Sequence, residues 1–305
     1  MAGFYPGRHR RGCGGISKKR KKIWGDKGGE RLMKTRIIVA AAGIPLLLAV
    51  IFFAPLWVFG ILVGAIAAGA AWELLRAAAP DTGLRIRLYA AVSAAVIPAG
   101  EGLGAGRPLL LLAVFLLVLL LFCELIASFR DEKPLDYTVV ALGLMAGAVI
   151  PGLLAALVRL GHEGLGAVYV LLPFVAAFSS DSGAYFVGMS LGRHKLAPRL
   201  SPHKTIEGSA GGFACAIGMM LLYGVILRSA GFSVDFPVMA VYGFFGSLVC
   251  QIGDLSFSAI KRECGIKDYG NLIPGHGGML DRFDSMVFVA PAIELLVLWV
   301  PAIVK

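Results

Sequence analysis

Between Ser258 and Ser285 the sequence reads SAIKRECGIKDYGNLIPGHGGMLDRFDS. Its polar side chains are of the kinds that hold phosphate oxygens and hard cations. Lys261, Arg262 and Lys267 supply positive charge, and Pro274 to Gly278 form a turn that exposes backbone N–H groups around His276. Asp281 and Asp284 follow with carboxylates suited to an oxygen-loving cation such as Mg²⁺. A second segment, GRHKLAPRLSPHKTIEGS over 192–209, adds Ser201, Lys204 and Thr205. Gly208, Gly211 and Gly212 follow at an expected helix start, where backbone can approach an anion. No GxxxxGK[ST] loop is present. Cations, a glycine turn and carboxylates are together the parts for nucleotidyl transfer, in which positioning and charge neutralisation supply most of the catalysis.

These segments have to be positioned by elements of an unusual composition. Hydrophobic residues make up 58% of the 305 positions and charged ones 16%, with mean hydropathy +0.80. Such a chain cannot cover itself with polar surface, and the expected fold is an all-α, polytopic membrane bundle. Apolar runs at about 37–53, 56–77, 86–100, 108–128, 137–158, 167–189, 210–228, 236–258 and 284–303 give nine expected spans. Residues 1–36 hold twelve Lys and Arg against Asp26 and Glu30, so the whole net charge of +10 sits there. We read 1–35 as a basic, disordered cytoplasmic tail touching anionic lipid, with no nucleic-acid partner. Met33 offers a second start, and the tail before it is expected to be dispensable. The bundle divides into N-terminal helices over 36–165 and a catalytic region over 166–305, with loops 190–209 and 259–283.

With the tail inside, thirteen basic residues fall in the inner loops and four outside, a positive-inside bias that places both polar loops in the cytoplasm. Five cysteines without CxxC spacing support neither a disulfide framework nor zinc. Acids inside spans are costly and read as functional. Asp181 and Asp254 each sit in a polar notch of an apolar run. Glu73 and Glu124, near inner ends, are expected to snorkel or pair, and Glu294 to hydrogen-bond between helices.

The pattern SxxKRxxxxKDxGxxxPGHGGxxDRxD, from Ser258 to Asp284, resembles the signature of the phosphatidate cytidylyltransferases (CDP-diacylglycerol synthases). The segments DSGAY at 181–185 and SPHKTIEG at 201–208 look like that family too. Ser182 stands where Thr is usual and Ile206 where an aromatic is usual. The resemblance runs from about residue 33 to the C-terminus. It implies transfer of CMP from CTP to phosphatidic acid, with Asp254 and Asp281 binding the catalytic cations. The same resemblance implies Mg²⁺, K⁺ as a candidate co-ion, and a homodimer. On this reading Lys261, Arg262 and Lys267 act in catalysis. Asp181, Ser201, Lys204, Thr205, Gly208, Ser258, Asp268, His276, Gly277, Gly278, Arg282 and Asp284 contact substrate. A multi-pass protein of the inner (plasma) membrane is expected, its N-terminus and site cytoplasmic. A CTP-dependent polyprenol kinase and a secondary transporter are the alternatives.

Overall fold

The computed structural model describes residues 43, 45–130, 134–270 and 277–304. The basic tail over 1–35 and His276 lie outside the described residues. A helical segment over 45–53 (α1) is followed by α2 (Leu56–Ala78), α3 (Leu84–Gly102) and α4 (Gly106–Ser128). The helix α5 (Tyr137–His162) contains a wide π turn over Met145–Val149. After it come α6 (Ala167–Leu191), α7 (Ile206–Ser229) and α8 (Phe236–Glu263). The chain closes with the short α9 (Leu280–Phe283) and α10 (Met286–Trp299). Asp284 and Ser285 between these two keep helical backbone angles, so the polypeptide runs on with little change of direction.

Among the described residues six helices are long and apolar enough to cross a membrane: α2, α4, α5, α6, α7 and α8. Helix α3 carries Arg85, Arg87 and Glu101, and α10 has 14 residues, so neither qualifies by composition or length alone. Helices α5 and α8 start where the sequence supplies side-chain caps. Asp136 accepts from the Thr138 amide at 2.8 Å, and Asp235 from Val238 at 3.1 Å. One large apolar core joins α2, α5, α6, α8 and α10. Helix α4 buries only Ala113, Leu117 and Leu121 and turns Leu111, Phe115, Leu119 and Ile126 outward. That face suits lipid, because a water-exposed apolar patch of this size would be a liability.

Two expectations need correction. The fold is not purely helical: β1 (Lys195–Ala197) pairs antiparallel with β2 (Ser201–Thr205), and β3 (Ser233–Val234) with β4 (Ile303–Val304). The first pair folds most of the expected loop at 190–209 into a hairpin. The expected loop at 259–283 is shorter than read, because α8 continues to Glu263 and carries Lys261 and Arg262 in its last turn. Those cations oppose the negative end of the helix dipole, which favours the extension. At the opposite end of the bundle Glu294 joins helices as expected, holding Arg159 Nε at 2.5 Å and Nη2 at 2.8 Å.

Candidate functional site

The last three turns of α8 carry Asp254, Ser258 and Lys261 at spacings of four and three, which puts them on one helix face. Ser258 Oγ donates to Asp254 Oδ1 at 3.3 Å. Lys204, brought in by strand β2, pairs with the same carboxylate. One turn further on, Lys261 Nζ lies 2.9 Å from Asp281 Oδ1 and 3.8 Å from Asp284. The other oxygen of Asp281 accepts from the amides of Tyr269 at 2.9 Å and Gly278 at 3.0 Å. Asp281 is therefore fixed on three sides, with its side chain only 3% exposed, whereas that of Asp254 is 30% exposed.

Tyr269 is the packing partner of this turn. Its hydroxyl donates to the Phe257 carbonyl at 3.0 Å, and the Lys261 ammonium lies 5.5 Å from its ring centroid. Burial pushes the Tyr269 phenol up from its ordinary pKa, so it stays a neutral donor. The Lys261 charge is thus held between two carboxylates and an aromatic face, in a setting of reduced dielectric.

A cavity of about 480 Å³ opens beside Asp254. Asp181, His203, Lys204, Thr205, Ser209 and Gln251 give it a polar end, and Ala184, Tyr185, Met189 and Leu196 an apolar wall. Tyr185, Phe186, Met189 and Leu191 beside it are all exposed on α6. A larger cavity of about 890 Å³ lies between the end of α2 and the 264–270 loop, lined by Trp72, Arg76, Asp268, Tyr269 and Gly270 among others.

The residues singled out in the sequence are distributed unevenly over this arrangement. Asp181, Lys204 and Asp254 meet at the smaller cavity; Lys261, Asp281 and Asp284 meet beside it. Asp181, Asp254 and Asp284 are within electrostatic reach of one another. Thr205 lines the cavity and also caps α7, its hydroxyl accepting from the Gly208 amide at 3.1 Å. Arg262 points elsewhere: its guanidinium donates to the carbonyls of Leu200 at 3.1 Å and Ile266 at 3.2 Å, tying the hairpin to the loop. Lys267, Asp268 and Arg282 are exposed, Ser201 is half-buried in the hairpin, and Gly277 adopts φ +91° in the turn. Gly211 and Gly212 do not face a ligand. A side chain at Gly211 would collide with Val187, and one at Gly212 would come within 3.0 Å of the Ser180 carbonyl, so α6 fills that space. Gly208 borders the cavity and also packs on α6, where a side chain would come within 2.8 Å of the Ala184 carbonyl.

Two residues passed over as site candidates belong here. Gln251 accepts from Ser209 Oγ at 2.5 Å and donates to Ser247 Oγ at 3.2 Å, bracing α7 against α8 behind Asp254. Glu73 on α2 accepts from the Leu280 amide at 2.9 Å, next to Asp281. The signal for both was a polar residue set in an apolar run.

The donor chemistry suits a hard cation. Asp181, Asp254, Asp281 and Asp284 are four carboxylates, and Lys204 and Lys261 are two ammonium groups. When all are ionised the cluster is left two positive charges short, and every free donor is oxygen. Among the described residues no three His, Cys, Asp or Glu side chains converge into a closed metal cage. The fit is one of charge and donor type.

The family model described as the cytidylyltransferase family matches residues 34–300. The phosphatidate cytidylyltransferase of Bacillus subtilis (strain 168) is 44% identical over 131 residues, covering 43% of this chain and 48% of that protein. Those of Staphylococcus saprophyticus and Staphylococcus aureus (strain COL) are 40% and 42% identical, each over 136 residues, 45% of this chain and 50% of the relative. The chain thus spans about half the length of the curated relatives it matches. The family match covers most of the sequence, including every residue of the acid–lysine cluster. The chain belongs to the cytidylyltransferase family.

Proposed function

We propose that this chain makes CDP-diacylglycerol and pyrophosphate from CTP and phosphatidate, at the boundary between membrane and cytosol. The observation that carries the reading is Lys204 and Asp254 at the polar end of a cavity with an apolar wall, with Lys261, Asp281 and Asp284 gathered beside it. A lipid bearing a phosphate needs both surfaces at once. The named relatives, phosphatidate cytidylyltransferases, support the same choice of substrates.

The chemistry asks little covalent work of the protein. A phosphate monoester has a second pKa of about 6, so a phosphatidate oxygen is already anionic at neutral pH and needs no general base. That oxygen bonds to the α-phosphorus of CTP, and the bond from that phosphorus to the oxygen bridging it to the β-phosphorus breaks, so that this oxygen leaves with pyrophosphate. The barrier is the approach of two anions. Lys204 and Lys261, exchanging their carboxylate partners for phosphate oxygens, would offset that repulsion. Ser258 orients Asp254, and the Tyr269 and Gly278 amides hold Asp281. Mg²⁺ held at Asp254 and Asp281 would neutralise charge on the triphosphate and the departing pyrophosphate, with K⁺ as a second ion. His276, Asp268 and Arg282 complete the proposed substrate contacts, and Lys267 adds a further cation, whereas Arg262 serves to hold the hairpin to the loop.

Nine spans, a cytoplasmic N-terminus, residence in the inner (plasma) membrane and a homodimer belong to the same reading. Helix α3 supports the span count: Gly102 at its end approaches the Leu56 carbonyl at the start of α2, so the two helices run antiparallel along their length. The test is label transfer with purified protein in detergent. Label from the α-phosphate of CTP is expected in an organic-extractable product that depends on phosphatidate. Transfer of the γ-label instead would mean a lipid kinase, and transfer of neither would remove the enzymatic reading.

A further inference from the structure

Glu73 belongs to the N-terminal helices, 181 positions before Asp254 in sequence, yet its carboxylate lies in the turn that carries Asp281. It is 2% exposed. Oε2 accepts from the Leu280 amide at 2.9 Å. Oε1 is buried with no hydrogen-bond partner, and no Lys, Arg or His among the described residues forms an ion pair with either oxygen. A carboxylate in such a place costs stability, so stability does not explain its presence.

Its surroundings point to a role in geometry. The carboxylate is wedged between two glycines: a side chain at Gly270 would collide with Oε1, and one at Gly278 would come within 2.5 Å of Oε2. Those glycines flank the groups that hold Asp281. Tyr269, beside Gly270, donates its amide to Asp281, and Gly278 donates its own. Met279 in the same turn lies against Gly69, one turn earlier on α2. Glu73 therefore touches the turn at Gly270, Gly278 and Leu280, and Asp281 is bound from Tyr269 and Gly278.

We infer that Glu73 is a positioning residue for the transfer reaction: it sets the turn at 277–281 so that Asp281 meets Lys261. The functional half of this inference rests on the proposed role of Asp281, and the geometric half does not. Two variants separate position from charge. Glu73→Gln keeps length and the acceptor for Leu280. Glu73→Asp keeps the charge but withdraws the oxygens by one methylene, about 1.5 Å on the bond lengths that govern reach.

The experiment combines steady-state kinetics with amide hydrogen exchange on the full chain in detergent. Glu73→Gln is expected to keep kcat and the protection of peptides covering 277–283 within about fivefold of the parent. Glu73→Asp is expected to lower kcat at least ~30-fold, in line with the cost of an ångström-scale misplacement. Its KM for CTP should stay within about threefold, and exchange should quicken at 277–283 but not in α8. Wild-type-like behaviour of Glu73→Asp overturns the inference. So does a Glu73→Gln loss as deep as that of Glu73→Asp, or faster exchange spread over the whole bundle. If the parent itself forms no labelled lipid from CTP, the proposed function falls while the exchange arm still decides whether Glu73 sets the turn.

Discussion

Asp254 and Asp281 carry like charges in unlike settings, and the difference governs what their replacement should do. Asp254 is 30% exposed at a cavity and shares its charge with Lys204 and Ser258. Asn there keeps the size and one acceptor but removes the charge that a cation or Lys204 needs. We expect Asp254→Asn to lose at least ~100-fold in turnover, the effect of deleting one strong electrostatic contact to a transition state, with little change in melting temperature. The Asp281 side chain is 3% exposed and holds Lys261, whose side chain is only 11% exposed, at 2.9 Å. Asn can satisfy the two backbone amides only by turning its own NH₂ toward the ammonium. Breaking a buried pair by removing one partner costs about 3–5 kcal/mol. Asp281→Asn should therefore lose turnover as deeply and also melt lower. Near-normal turnover of both variants at low Mg²⁺ would show the acids to be structural, and equal melting temperatures would show that Asp284, at 3.8 Å, already neutralises Lys261.

At the scale of elements, the cluster depends on how closely α6, α7 and α8 approach. Helices in lipid gain little from apolar burial and associate through close contact of small residues. Gly243 on α8 lies over α7, where an added methyl would meet backbone, Ile217 Cα at 2.6 Å and the Ala216 carbonyl at 2.9 Å. Backbone cannot rotate away, so Gly243→Ala should destabilise by about 1–3 kcal/mol. Gly218→Ala, on an exposed face of α7 with nothing within 4 Å, should be neutral or stabilising. Thermal unfolding of the two in one detergent checks the contrast, and an equal response would mean that α7 and α8 do not meet at Gly243. Hydropathy made the long helices legible, because each apolar run is longer than any soluble core demands. It could not show the β1–β2 hairpin, since Lys195–Thr205 has no alternating pattern and pairs in an irregular register. Nor could it show that α8 outlasts its apolar run to include Lys261, which there pairs with Asp281. The acids Asp181, Asp254, Asp281 and Asp284 stood out as polar groups in or beside apolar segments. Glu73 stood out equally, but its use appears only when α2 is seen against the distant turn at Leu280. Arg262 shows the reverse: a side chain of the right type, at the right spacing, held away from the cluster by two carbonyls.

At the scale of the molecule, every described residue proposed to do chemistry lies at one end of the bundle. The hairpin Lys195–Thr205, the end of α8 and the turn before α9 are joined there by Lys204 to Asp254, Arg262 to Leu200 and Lys261 to Asp281. The opposite end is held by Arg159 between Glu294 and Glu101 and by the β3–β4 pair. Charge separates the ends in the same way: among the described residues Arg107, Arg159 and Arg228 are the basic groups at the second end, and all the others belong to the first. A membrane protein retains its basic loops on the cytoplasmic side, which is also where a nucleoside triphosphate is available. The first end should therefore face the cytosol. In a cysteine-free background, Lys195→Cys and Lys267→Cys place exposed thiols at that end, and Gly164→Cys places one at the other, with open space around it. On sealed cells a membrane-impermeant maleimide should label the Gly164 variant alone, and should reach the two lysine variants only after permeabilisation. Labelling of Lys195→Cys from outside intact cells would put the acid–lysine cluster on the wrong side of the membrane for CTP. A split between Lys195→Cys and Lys267→Cys would contradict the shared end itself, because Arg262 binds the hairpin at Leu200 and the loop at Ile266 through one guanidinium.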